Sequence, residues 1–458
     1  MNPTDCFLDA KDPQASDALL LTVLANGESR AWLDTRSEAE RGFLARQGFD
    51  GKPGTFALLP DGAAMVASIE DAADPHAVAV LPLSLPEGDY RLSTDGHLAT
   101  DVACLGWGLG SYRFERYRSA ERSAARLVID PAAHADTLAL IAASHQVRDL
   151  INTPSQDMGP ADLEAAIRTL AETHGGELQV FSGDDLLANN FPAIHAVGRA
   201  SHRAPRLIEL TWGDPNHPRL ALIGKGVCFD TGGLDLKPSS GMRNMKKDMG
   251  GAAHAIGLAR LVIECQLPVR LQLLVPAVEN AVGPDAYRPG EVIATRAGLS
   301  VEIDNTDAEG RIVLCDALTY ASESNPALMI DFATLTGAAR IALGPDLPAL
   351  FCNDDGLAEA YLAAGERTRD PLWHLPLWRP YRRYLKSGIA RLANSGSSRM
   401  AGSITAALYL QHFVPDQLPW AHVDVYSWCD GDRPGHPSGG EAQGLRAALA
   451  LLRERLGN

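Results

Sequence analysis

The sequence predicts an α/β protein of two domains, the larger built on a mixed, mostly parallel sheet flanked by helices. Three observations point there. At 458 residues the chain exceeds what one hydrophobic core usually organises. From about residue 153 onward, compact apolar runs alternate with amphipathic stretches of helical spacing, the pattern of a parallel sheet with helices on both faces. Between the halves, a helical pattern over Asp136 to Ile151 runs into Asn152-Thr153-Pro154-Ser155, where proline disfavours continuation.

Taken in order, residues 1–130 alternate short apolar runs, such as Ala77 to Leu81, with Gly/Pro/Asp turns, and include a helical stretch around Ala99 to Tyr117; they read as a small α/β domain. Residues 131–152 read as a linker helix and 153–458 as the larger domain. Within it, Arg219 to Gly224, Val269 to Val275, Ala327 to Phe332 and Ala421 to Tyr426 read as buried strands. Gly251 to Cys265 and Glu441 to Leu456 carry apolar residues at helical spacing. In such folds functional groups gather beyond the carboxyl ends of the strands.

Composition narrows the function. The net charge of −16 repels nucleic-acid backbones and anionic lipid. The densest arginine stretch, Arg113, Arg116, Arg118, Arg122 and Arg126, is interleaved with acids and reads as a solvated helix face. Seven scattered cysteines with no C-x-x-C pair argue against a disulfide framework and a cysteine zinc site, and fit a reducing cytosol. The acidic start lacks a secretory pattern, and no apolar run is long enough to span a bilayer, so a cytoplasmic protein without a membrane partner is expected.

Two segments concentrate chemistry. In the first, the apolar Leu222-Ile223-Gly224 leads into Lys225, Asp230, Gly232 and Gly233, followed by Lys237 and Asp248. Glycines here permit the backbone to wrap closely around an ion or substrate, although a surface turn with solvated charges has the same appearance. In the second, Asp304 to Arg311, alternate residues of an extended chain would aim Asp307 and Glu309 at one site, while a capped helix start with an internal ion pair is the other reading. Asp230, Asp248, Asp307 and Glu309, gathered near strand ends, would repel one another unless cations sat among them. A pair of divalent metals resolves the conflict. Oxygen-rich ligation suits magnesium, manganese or zinc, and H-E-x-x-H is absent. No two of the 13 histidines stand at H-x-H or H-x-x-x-H spacing, and His254 and His422 are assigned to packing or surface roles.

These residues resemble the leucyl aminopeptidases of the M17 type. The octapeptide Asn305-Thr306-Asp307-Ala308-Glu309-Gly310-Arg311-Ile312 is similar to that family's hallmark, and the Lys225/Asp230/Lys237/Asp248 series has its spacing. Further similarity runs through Val147 to Pro154, Asp331 to Gly337 and Ser403 to Ala407, so the resemblance covers roughly residues 100–430. It implies an N-terminal macro-like α/β domain, a C-terminal dinuclear-metal peptidase domain, a homohexamer, and removal of single residues from the free amino end of peptides. By the same resemblance, Asp230 and Glu309 bridge two metals, Asp307 completes one site, and Lys225 with Asp248 completes the other. Manganese or zinc is the first expectation, with magnesium and cobalt as alternatives. The catalytic pair is then Lys237, stabilising the oxyanion formed when a metal-bridging hydroxide attacks, and Arg311, holding a bicarbonate proton shuttle. Met245, Asn305, Thr334, Leu335 and Gly337 are carried over as substrate-binding positions.

Tyr426 to Pro434 and Gly439 to Gln443 depart from the family pattern, which puts a preference for leucine in doubt. Cys228 and Cys315 are assigned to packing. A two-metal phosphoesterase is the rival enzyme, though it explains neither Lys225 nor the octapeptide. A nucleic-acid-binding regulator on the same fold is the rival from another class, and the net charge opposes it.

Overall fold

The computed structural model describes residues 3–94, 97–396, 398 and 400–457, which form two compact units. The first comprises Met1–His145 with Asp430–Ser438, the second Gln146–Cys429 with Gly439–Asn458.

The first unit carries a six-stranded sheet in the order Phe7–Asp9, Arg126–Ile129, Asp89–Leu92, Leu19–Ala25, Ala64–Ile69 and Phe56–Leu58, parallel except for its last pair. Its core packs Leu21, Val23 and Leu127 of the strands with Trp107 and Cys104 of the helix Thr100–Ser111. That helix is shorter than the sequence pattern suggests. At Tyr112 the backbone turns extended, and Arg113 instead donates to the carbonyl of Arg122. Arg122 in turn donates to the carbonyls of Leu83 and Leu85, so these arginines hold irregular backbone together and do not form a solvated helix face.

The second unit is built on a mixed, mostly parallel nine-stranded sheet. In order its strands are Trp373–His374, Ala349–Cys352, Trp420–Asp424, Leu328–Ala333, Arg219–Gly224, Arg270–Asn280, Arg206–Trp212 and Glu177–Ser182, with Gly226–Asp230 added in parallel beside the end of Arg270–Asn280. The four expected strands all form. Trp420–Asp424, Leu328–Ala333, Arg219–Gly224 and Arg270–Asn280 are parallel neighbours, so their carboxyl ends open on one edge.

The central strand Arg219–Gly224 is buried on both faces beyond its first residue, as expected of a strand covered twice. Ala221 and Ile223 belong to a core with Ile312, Val313 and Leu314 of the helix Glu309–Glu323. Gly224, on the opposite face, lies against Gly251, Ala252 and Ala255 of the helix Gly250–Glu264. The last helix, Leu445–Leu456, starts four residues later than its pattern suggests: Glu441 is held in a buried ion pair with Arg148 (3.0 Å), and Gly444 turns left-handed (φ +72°) ahead of the first turn. His422 is fully buried against Asp331 (2.6 Å). His254 accepts from the Gln443 N–H and faces the Gly250 carbonyl. Both pack, as expected, and all seven cysteines are free thiols.

Candidate active site

Lys225 follows the last residue of the central strand, and Asp230 ends the short strand that follows. Asp248 lies in a 3-10 turn, Met245–Met249, which leads into the helix Gly250–Glu264. Glu309 and Arg311 occupy the first turn of Glu309–Glu323. The route from Asp307 to Glu309 is therefore a turn into a helix and not the extended chain that alternation suggested. Asn305 Oδ1 accepts from the Asp307 N–H (2.8 Å), and Asn394 Oδ1 accepts from the N–H groups of Asp304 and Asn305. Gly310 leaves room for Lys225: a Cβ there would lie 2.6 Å from Lys225 Cε and 2.7 Å from Nζ, so a larger residue would displace the end of the lysine side chain.

The structure brings all seven expected metal and catalytic residues into one cavity of about 340 Å³. One oxygen each from Asp230, Asp307 and Glu309 lie within 4.8 Å of one another. Lys225 Nζ is 2.8 Å from Asp248 Oδ2 and 2.9 Å from Glu309 Oε1, and donates to the Thr334 carbonyl. Lys237 Nζ is 2.8 Å from Asp230 Oδ2 and also pairs with Asp307. Asp230 Oδ1 accepts from Gly232 N–H and Asn280 Nδ2, and Asp248 Oδ1 from Thr334 Oγ1.

Four carboxylates and two ammonium groups leave negative charge uncompensated in a buried place. Burial and the neighbouring Asp230 push the Glu309 carboxyl up to about 8 and that of Asp307 to about 6. Burial opposes the charge on both lysines, but carboxylates outweigh it and hold each well above the ordinary lysine range: Asp248, Glu309 and Asp230 at Lys225, and Asp230, Glu309 and Asp248 at Lys237. Glu309 Oε2 is buried with no hydrogen-bond partner, a costly condition unless a cation meets it. The donor set, carboxylate oxygens with an amine nitrogen, suits manganese or zinc, so these residues fit a divalent-metal centre.

Arg311 is nearly buried. It donates from Nη1 to the Asn394 carbonyl (2.7 Å), while its Nε has no partner. Met245, Thr334, Leu335 and Gly337 line the cavity. Asn305 is outside that lining, its side-chain oxygen engaged by its own turn.

Other participants escaped sequence reasoning. Asp424 accepts from the N–H groups of Leu335 and Thr336 and from Thr336 Oγ1, fixing the loop that carries the Thr334 to Gly337 wall. A polar residue closing an apolar strand was the available signal for Asp424, and likewise for Asn280. Lys247, Arg340 and Tyr426 also line the cavity, and Tyr426 is the one residue of the departing stretch Tyr426 to Pro434 that does. Burial brings Lys247 down to about 8.

A carboxylate and lysine cluster at the carboxyl ends of a mostly parallel sheet is the arrangement of a metal-dependent enzyme. The profile described as the cytosol aminopeptidase family, catalytic domain, matches residues 145–449, and that of the M17 aminopeptidase N-terminal domain matches residues 19–130. The chain belongs to the M17 cytosol aminopeptidase family and is a metallo-aminopeptidase. It is 42% identical over 375 residues to a probable cytosol aminopeptidase of Syntrophotalea carbinolica, covering 78% of this chain and 75% of that one. A crystal structure of cytosol aminopeptidase from Coxiella burnetii matches with a TM-score of 0.93 at 48% identity, over 99% of this chain and 100% of that one. The bottromycin maturation enzyme BotP in complex with Mn matches with a TM-score of 0.85 at 35% identity, over 95% and 99%. Among the described residues no helix is long and apolar enough to cross a membrane.

Proposed function

We propose that this aminopeptidase hydrolyses the first bond of peptides with a free amino end, using two divalent ions held by Asp230, Asp248, Asp307, Glu309 and the Lys225 amine. The observation that carries this reading is the cluster of Asp230, Asp307 and Glu309 beside the buried Asp248, with its unpartnered Glu309 oxygen. Asp230 and Glu309 would each serve both ions, Asp307 one, and Lys225 with Asp248 the other. Manganese or zinc is preferred, with magnesium and cobalt compatible. Such a pair, when bound, polarises a carbonyl and makes water nucleophilic near neutral pH.

The chain's own residues supply the rest. Burial opposes the Lys225 charge, so the amine becomes available as a ligand once other cations neutralise the carboxylates around it. Lys237, less buried and held protonated by Asp230, offsets negative charge growing on the scissile carbonyl oxygen. Arg311 cannot act as a base. Its unpartnered Nε, in a planar fork, suits a bound planar oxyanion such as bicarbonate that takes up and returns a proton. Met245, Thr334, Leu335 and Gly337 form the wall beside the substrate's first side chain, and Asn305 acts on the substrate through the turn that positions Asp307. We further propose the division 1–130, 131–152 and 153–458, a homohexamer, and a cytoplasmic location. The relatives' name favours the location and the family membership the hexamer, while the N-terminal profile ending at residue 130 favours the first boundary.

The test is p-nitroaniline release from amino-acid anilides with manganese or zinc, with chelator, and with amino-acetylated controls. Turnover that chelator removes and acetylation abolishes is expected, with none on p-nitrophenyl phosphate. Equal turnover of acetylated substrates would contradict the reading.

A further inference from the structure

The basic groups lining the cavity fall into two sets. Lys225 and Lys237 are each clamped between carboxylates, and Arg311 donates to a carbonyl. Lys247 and Arg340 instead contact an aromatic face, with Asp248 and Asp424 acting on the Lys247 charge from beyond ion-pair distance. Lys247 Nζ lies 4.8 Å from the centroid of the Tyr426 ring and the Arg340 guanidinium 4.7 Å from it. Among the described residues neither makes an ion pair. Lys247 is buried, with 6% of its surface exposed, whereas Arg340 is exposed on the helix Gly337–Leu343.

A cation resting on a ring recovers only part of the solvation that the ammonium of a mostly buried lysine gives up. Two such cations around one ring also repel each other. With no carboxylate in contact with either cation, the arrangement has room for one anion, and the cavity it faces is where a substrate enters. Lys247 shares its 3-10 turn with Met245, Arg340 shares its helix with Gly337, and Tyr426 follows the strand whose Asp424 fixes the Thr334 to Gly337 loop. The three thus extend the wall assigned above to the first side chain of the substrate.

We propose that Lys247, Tyr426 and Arg340 form a carboxylate-binding subsite, and that its ligand is the side chain of an amino-terminal glutamate or aspartate. This deepens the aminopeptidase reading and rests on it. The same chemistry would be satisfied by the terminal carboxylate of a dipeptide, so the experiment needs an arm for each source.

The test compares kcat/KM for Glu-, Asp-, Gln- and Leu-p-nitroanilide, and separately for Leu-Gly and Leu-Gly-amide. The expected result is a Glu:Gln ratio of about ten or more, because a site built for a carboxylate loses its pairing with the amide. Arg340→Gln and Lys247→Gln should each bring that ratio down about tenfold, and Leu-Gly should differ little from its amide. A Glu:Gln ratio near one overturns the proposal, and if Leu-Gly then far exceeds its amide, the chain end is the carboxylate recognised. Calorimetry of free L-glutamate against L-glutamine on the metal-loaded enzyme needs no turnover. Tighter L-glutamate supports the subsite even if every anilide fails and the peptidase reading falls, and equal affinities overturn it. Should Lys247→Gln fail to fold, the exposed Arg340→Gln decides the matter alone.

Discussion

Two ends of one cavity use the same kind of side chain to opposite effect. At one end Lys225 and Lys237 sit among four carboxylates, and anionic charge is in excess. At the other, Lys247 and Arg340 flank Tyr426 with no carboxylate in ion-pair contact among the described residues, Asp248 and Asp424 acting on Lys247 only from farther off. A lysine's role is thus set by its partners and not by its type: the first end calls for divalent cations, the second for an anion.

The comparison can be broken most severely at the carboxylates. Asp230→Ala or Glu309→Ala should abolish turnover, by a factor of 10⁴ or more on the order of other essential groups, with loss of metal seen by elemental analysis. A variant that keeps both ions would undo the assignment. Lys237→Ala sharpens the contrast between the two clamped lysines: it should retain metal while kcat falls by about 10²–10³, the scale of removing one oxyanion-stabilising donor.

Gly310→Ala acts on Lys225 alone, since the new methyl would collide with the far end of that side chain. Metal affinity should weaken about 10- to 100-fold, as when a ligand loses its orientation, while thermal unfolding shifts little. Unaltered affinity would mean that Lys225 is not a ligand.

The smallest effect concerns His254. Its Nε2 accepts from Gln443 and its Nδ1 faces the Gly250 carbonyl, so the fold holds it neutral, and burial lowers its pKa. The unfolded chain binds a proton near pH 6.5 that the folded one refuses. Stability is therefore intact above that pH and falls as pH drops below it, by up to about 1.4 kcal/mol per unit. Urea unfolding between pH 7.5 and 5 should show this slope, and His254→Gln should flatten it. Equal slopes would show that other groups set the acid limit.

Much of the catalytic unit was legible because continuous apolar runs name buried strands and helical spacing names the helices between them. The seven clustered residues were legible from two short segments. Their local geometry was not: alternation suggested an extended Asp307 to Glu309, whereas Asn305 and Asn394 turn the chain into a helix. Asn394 reaches those N–H groups from 89 and 90 residues away, a separation no local pattern encodes. Lys247, Arg340 and Tyr426 come from three separate segments and meet only in the fold. The Ala99 to Tyr117 helix was overrun because nothing local announces that arginine side chains will satisfy the carbonyls beyond Ser111.

The central claim is the division of labour between the two clamped lysines, and metal stoichiometry tests it most directly. Elemental analysis of wild type, Lys225→Ala and Lys237→Ala after dialysis against manganese or zinc should give two, one and two ions per chain. An emptied site in Lys237→Ala, or two retained ions in Lys225→Ala, would contradict it.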